Sequence, residues 1–151
     1  MSPQAHPIDI TPALNELVQF FEQLRPEHVA HLGRHYAPEV RFKDPFNEVQ
    51  GLAEVERLFR HMFVQLHEPR FVVRERIVQG PQAFLTWDFL FRFRRFDTVT
   101  LQTVRGATHL VYNDQGLAVL HRDYWDVAEE MYEKLPVLGG LMRWLKARAR
   151  S

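Results

Sequence analysis

The sequence predicts an α+β fold in which a cone-shaped, curved antiparallel sheet wraps around helices. Three observations predict it. Apolar residues recur at helical spacing through most of the chain up to residue 66. Segments rich in Val, Ile and aromatic residues, separated by turn signals, then fill residues 70–126. The chain has 151 residues, 46% hydrophobic and 25% charged, which suits a single core. Helices segregated from a strand meander cover one face of a sheet. A sheet curled around helices leaves a cone whose open mouth is a natural ligand pocket.

Residues 1–10 are Pro-rich and polar and read as a flexible arm. One domain, 11–151, follows, with a helical extension from about residue 127. Thr11-Pro12 starts the first helix, with Thr as N-cap and Pro in the first turn. Leu14, Leu17, Val18, Phe21 and Leu24 form its apolar stripe, which ends near Arg25-Pro26. A second short helix from Pro26 carries Val29, Leu32 and Tyr36 on one face and stops at Ala37-Pro38. Residues 39–44 alternate as a short strand, and PFNEVQG is a loop closing on Gly51. The third helix presents Leu52, Val55, Leu58, Phe59, Met62 and Leu66, with Glu56 and Arg60 placed to pair outside.

Strands are expected over 70–79, 83–96, 98–112 and 117–126. Gly80-Pro81 turns between the first two, and Asn113-Asp114-Gln115-Gly116 makes a hairpin before the last. Residues 127–149 are helical, with interruptions at Leu135-Pro136 and Gly139-Gly140.

Composition excludes several classes of function. Nineteen Lys+Arg balance nineteen Asp+Glu, which argues against nucleic acid as a partner. There is no cysteine, hence no disulfide, thiolate metal site or cysteine nucleophile. No apolar run reaches the roughly 18 residues of a membrane helix. No secretory signal is visible, so a cytoplasmic location is expected. No Gly-rich phosphate loop, nucleotide fingerprint or nucleophile elbow occurs, and no cofactor is expected. His28, His31 and His35 lie at helical spacing, but no carboxylate is spaced to complete a metal site, so a solvated face is the reading and no metal is expected.

The element order, with YAPEVRFKDPFNEVQG and HRDYWD, resembles the nuclear transport factor 2-like superfamily. It looks closest to the SnoaL-like branch, alongside ketosteroid isomerases, polyketide cyclases and limonene epoxide hydrolases. The resemblance covers roughly residues 12–128. It implies a cystatin-like roll and a small hydrophobic molecule bound in the cone. It also implies carboxylate acid/base chemistry without a cofactor, of isomerase, cyclase or hydrolase type. The alternative is a ligand-binding or accessory protein of the same fold, since fold does not settle function.

Period-two alternation splits the strand 83–96 into Thr86, Asp88, Leu90 and Arg92 on one side and Leu85, Trp87, Phe89, Phe91 and Phe93 on the other. Strand 117–126 splits into His121, Asp123 and Trp125 against Arg122, Tyr124 and Asp126. The resemblance places Thr86/Asp88/Leu90 and His121/Asp123/Trp125 in the pocket, with Asp44 at the end of the first strand. Asp44, Asp88, His121 and Asp123 are therefore the candidate catalytic residues, and Phe20, Thr86, Leu90, Thr108 and Trp125 the candidate substrate contacts. A carboxylate among aromatic walls loses solvation and becomes a better proton acceptor, and neighbouring carboxylates divide acid and base roles between them. His121 would hold Asp123 or share its proton, and His121 or Thr108 would steady a developing oxyanion. The competing structural readings are a simple turn at Asp44-Pro45, an Arg partner such as Arg74, Arg76 or Arg92 for Asp88, an Arg partner for Asp123 and a hydrogen-bonded structural role for His121.

Two comparisons sharpen the chemistry. Asp44 matches the general base of ketosteroid isomerases, with Phe20 and Thr108 at the positions of that family's oxyanion donors. Asp88 and Asp123 match the two catalytic acids of limonene epoxide hydrolases, with Thr86 at the position of the intervening Arg and Phe42 and Asp44 at those of the water-holding Tyr and Asn.

The row Trp87, Phe89, Phe91 and Phe93 would face away from the pocket and pair two copies into a homodimer, the alternative being that the C-terminal helix folds over it. The tail LMRWLKARARS joins Leu141, Met142, Trp144 and Leu145 to four cations. Such a helix can lie on an anionic membrane, but docking of its apolar side on its own domain is the expectation.

Overall fold

The computed structural model describes residues 8–131 and 136–150, leaving aside the side chains of 136–139, 141 and 142. Residues 1–7 of the expected arm, and the Leu141 and Met142 side chains of the tail, lie outside the described residues. Ile10, assigned to the arm by sequence, is instead 1% exposed, and its carbonyl accepts from Leu14 N. Helix α1 (Thr11–Glu22) has Pro12 in its first turn. Asp9 Oδ1, not Thr11, supplies the side-chain acceptor there, taking Thr11 N at 2.9 Å.

The second helix is a 3-10 segment, Pro26–Arg34. The chain then enters β1 (Tyr36–Lys43) earlier than the sequence suggested, with a register shift between Tyr36 and Arg41 that accommodates Pro38. The loop closing on Gly51 contains a short strand, β2 (Glu48–Gln50), paired back on β1. Gly51 has φ +100°, a left-handed value that glycine adopts freely, and α2 (Leu52–Gln65) starts from it. The expected Glu56–Arg60 pair forms at 3.9 Å. β3 (Leu66–Gln79) follows with no intervening loop. β4 (Gln82–Phe93), β5 (Gln102–Tyr112) and β6 (Ala118–Tyr124) complete the sheet. The hairpin before β6 forms as read: Asn113 Oδ1 takes Gln115 N and Leu117 N, and Gly116 has φ +74°.

The strand order is β2-β1-β6-β5-β4-β3. Every neighbouring pair is antiparallel except β1 with β6, which run parallel. The all-antiparallel sheet expected from sequence is thus mixed. β1 comes from the N-terminal half and crosses over before docking beside the last strand, a long-range pairing no local pattern announces.

The α+β roll itself is as read. α1 lies against β3, and α2 against β1 and β3. Leu14, Leu17, Val18 and Phe21 of α1 meet Val55 and Phe59 of α2 over the sheet residues Val40, Phe42, Leu85, Trp87, Phe91 and Leu110. Burying each such side chain stabilises the fold by about 1.5–3 kcal/mol.

The aromatic row of β4 belongs to this core. Trp87 is 5% and Phe91 3% exposed, and Phe89 stacks on Phe71 at 4.4 Å. Trp87 and Phe91 face inward, on the side opposite to the one the sequence reading gave the row, and Phe89 and Phe93 are partly buried. The physical reason is plain: four large rings gain more from burial than the polar set on the other side of the strand. Gly106 stands opposite Trp87 on β5. A Cβ there would fall inside contact distance of the indole, so the ring packs directly on bare backbone.

Beyond the sheet come a short helix, α3 (Val127–Glu130), and α4 (Pro136–Ala149). Asp126 caps α3 by accepting Glu129 N. α4 continues through Gly139-Gly140 instead of breaking there. Trp144 is 54% exposed and Leu145 45%, so these two are not docked on the domain. Trp144 carries the Arg148 guanidinium 5.0 Å from its ring centre. Among the described residues no helix is long and apolar enough to cross a membrane.

Candidate functional site

The register fixes which residues meet. Asp123 pairs with Thr108 and Thr108 with Leu85, so these three share one face. His121, two residues before Asp123, shares it as well. This is the concave face, under α1 and α2. It bounds a cavity lined by Phe21, Phe59, Phe71, Val73, Leu85 and Trp87, with Thr108, His121 and Asp123 as its polar part. The cavity is small, with about 20 Å³ open to the centres of water molecules.

The polar groups form one hydrogen-bonded chain. Trp87 Nε1 donates to Thr108 Oγ1 at 2.7 Å. Thr108 Oγ1 donates to Asp123 Oδ1 at 2.6 Å. His121 Nε2 lies 2.7 Å from the same Oδ1, and His121 Nδ1 lies 2.7 Å from Tyr36 Oη. The indole only donates, and an ionised carboxylate only accepts. Thr108 Oγ1 and His121 Nε2 therefore both donate to Asp123 Oδ1, and with a neutral imidazole Tyr36 O–H donates to Nδ1. Burial pushes the Tyr36 phenol well above its usual range, with the Asp123 charge and Tyr112 adding to it, so Tyr36 keeps its proton. His121 is further packed by Phe42 at 4.7 Å and Phe21 at 5.7 Å between ring centres.

Both donors reach Asp123 on Oδ1, and Oδ2 receives no hydrogen bond from the described residues. The Asp123 side chain is 14% exposed. The result is a carboxylate held from behind with one oxygen presented to an aromatic cavity. Thr108 O–H and His121 Nε2 both point at Asp123 Oδ1, so neither is turned toward a guest in this arrangement.

The other candidates lie elsewhere. Asp88 pairs with Arg105 and faces the opposite side of the sheet with Thr86 and Leu90. There Arg74 grips Asp88 Oδ2 with Nε at 3.0 Å and Nη2 at 2.6 Å. The placement of these three residues in the pocket is corrected accordingly: β4 turns its aromatic set inward, and the arginine-partner reading of Asp88 is the one seen. Asp44 organises a turn, with Oδ1 accepting Phe46 N at 2.8 Å and Asn47 N at 2.7 Å. Trp125 packs edge-on against Phe46 at 5.4 Å, away from the cavity lining. Phe20 is buried beside His35, 5.0 Å away, and lines a separate groove with His28 and His31. Its neighbour Phe21 occupies the pocket. No group of three or more His, Asp or Glu among the described residues is arranged to hold a metal ion.

Sequence reasoning missed Tyr36, read as a helix-face residue, and Trp87, assigned to the wrong side. The apolar-inward rule applied to β4 alone would have found Trp87. Nothing local signals Tyr36, whose partner is distant in sequence.

A family model described as the SnoaL-like domain matches residues 17–121. The chain belongs to the SnoaL-like domain family. The match ends at His121, so it covers the cavity walls, and Asp123 follows two residues later.

Solved structures share the SnoaL-like fold. An NTF2-like protein of unknown function from Burkholderia pseudomallei is 20% identical with TM-score 0.68, covering 80% of this chain and 92% of its own. An LEH-like epoxide hydrolase from M. tuberculosis is 16% identical with TM-score 0.65, covering 93% and 94%. A protein of ketosteroid isomerase-like fold from Catenulispora acidiphila, in complex with trimethylamine, is 10% identical with TM-score 0.67, covering 80% and 90%. A search among curated proteins finds no match.

Proposed function

We propose that this SnoaL-like protein is a cofactor-independent acid/base enzyme acting on a small hydrophobic molecule, with Asp123 as the proton acceptor. The observation that carries this reading is the free Oδ2 of Asp123 at an aromatic cavity, while Thr108 and His121 hold Oδ1. Asp123 takes a proton from one position of the guest and returns it to another, which is isomerisation by proton relocation. His121 and Tyr36 are positioning residues that keep the carboxylate aimed. The complex of the C. acidiphila neighbour with trimethylamine supports a guest of a few heavy atoms. Hydrolysis by two carboxylates is disfavoured, because Asp88 stands on the far side of the sheet.

The test is deuterium exchange from D₂O into carbon-bound positions of small ketones and small cyclic imines, followed by NMR. Exchange that Asp123→Asn reduces by a factor of about 100 or more, within the range of general-base effects, and that Asp88→Asn leaves intact, is the expected result. Equal exchange in wild type and Asp123→Asn, or none in wild type, overturns the reading.

A further inference from the structure

The hydrogen-bond inventory of the cavity is one-sided. Trp87 N–H is committed to Thr108, Thr108 O–H and His121 Nε2–H to Asp123, and Tyr36 O–H to His121. No donor remains for a guest, and one charged acceptor, Asp123 Oδ2, remains without a partner among the described residues. No Lys or Arg lines the cavity. Around that carboxylate stand Phe21, Phe59, Phe71 and Trp87. Their rings are in mutual contact, with centres 6.0 Å apart for Phe21–Phe59, 5.3 Å for Phe21–Phe71 and 5.1 Å for Phe71–Trp87. Aromatic rings attract cations through their quadrupoles, more strongly when water is excluded. With His121 neutral, Asp123 has no countercharge among the lining residues, and a buried charge without one is costly.

We infer that the guest of this cavity is a small organic cation, an alkylammonium or iminium ion, whose N–H meets Asp123 Oδ2 and whose alkyl groups lie against the four rings. The inference rests on the proposed function and narrows its substrate class. It also removes a difficulty in that function. A neutral carbon acid would leave a developing oxyanion with no donor to meet it. An iminium ion needs none: Asp123 Oδ2 takes the proton from the carbon next to C=N⁺, the C–H electron pair forms a C=C bond, and the C=N π pair moves to nitrogen. The products are a neutral enamine and a neutral Asp123 carboxylic acid.

The experiment compares isopropylammonium with propan-2-ol, of like shape but uncharged, by NMR titration at neutral pH and low salt, following the Trp87 indole N–H. We expect the cation to bind at least tenfold more tightly than the alcohol, and Asp123→Asn to abolish that preference. Phe71→Leu, which retains the carboxylate, should weaken the cation several-fold more than the alcohol and keeps the test decisive if Asp123→Asn fails to fold. Equal or tighter binding of the alcohol overturns the cation class and leaves Asp123 as proton acceptor standing. Binding of neither probe overturns both. Cation binding that Phe71→Leu leaves unchanged, or that survives in a folded Asp123→Asn, places the cation outside this cavity and overturns the inference alone.

Discussion

Asp88 and Asp123 stand on opposite faces of the same sheet. Strand β5 shows why: Asp88 pairs with Arg105 and Asp123 with Thr108, and these partners are three residues apart. An odd separation along a strand reverses the side-chain direction. Asp88→Asn should therefore change guest binding in the cavity by less than twofold. It should lower stability by no more than about 1 kcal/mol, since Arg74 is largely exposed. Urea denaturation with the probe titration checks both.

Tyr36→Phe leaves His121 Nδ1 buried without its donor. The loss should cost about 1–3 kcal/mol, the range for an unsatisfied buried polar group. It should also release His121 from a single tautomer. Long-range ¹H–¹⁵N correlation of the imidazole reads this directly: protonation on Nε2 alone in wild type, and altered nitrogen shifts in the variant. Unchanged shifts would remove Tyr36 from the positioning role.

Gly106→Ala should displace the Trp87 ring, because the new methyl occupies its place. Overpacking of this kind costs about 1–3 kcal/mol. The Trp87 indole N–H resonance should move as its bond to Thr108 is disturbed. A variant as stable as wild type with an unmoved resonance would refute the packing argument.

His35 carries a pH dependence. Burial holds its imidazole below the ordinary value of 6.5; Glu16 opposes that and Arg34 reinforces it. Below about 6.5 the unfolded chain takes up a proton that the native state refuses. The His35 contribution to stability is therefore fully present above that value and falls as the pH drops toward the depressed native pKa. Denaturation midpoints at pH 7.5 and 5.5 should show a smaller loss in His35→Gln than in wild type.

The sequence by itself determined the α+β class, the helix stripes of α1 and α2, the hairpin at Asn113–Gly116 and the SnoaL-like resemblance. These rest on periodicity and turn chemistry, which act over a few residues. It also placed His121 and Asp123 on one face together, since two residues on one strand share a side whatever the fold. Tertiary structure decided which side of β4 is inside, that β1 runs parallel to β6, and that Tyr36 closes a hydrogen-bonded chain on His121. Alternation fixes the two sets of a strand but not which one is buried. That choice is made by the layer packed against the sheet, and here α1 and α2 draw in the rings and leave Asp88 to Arg74.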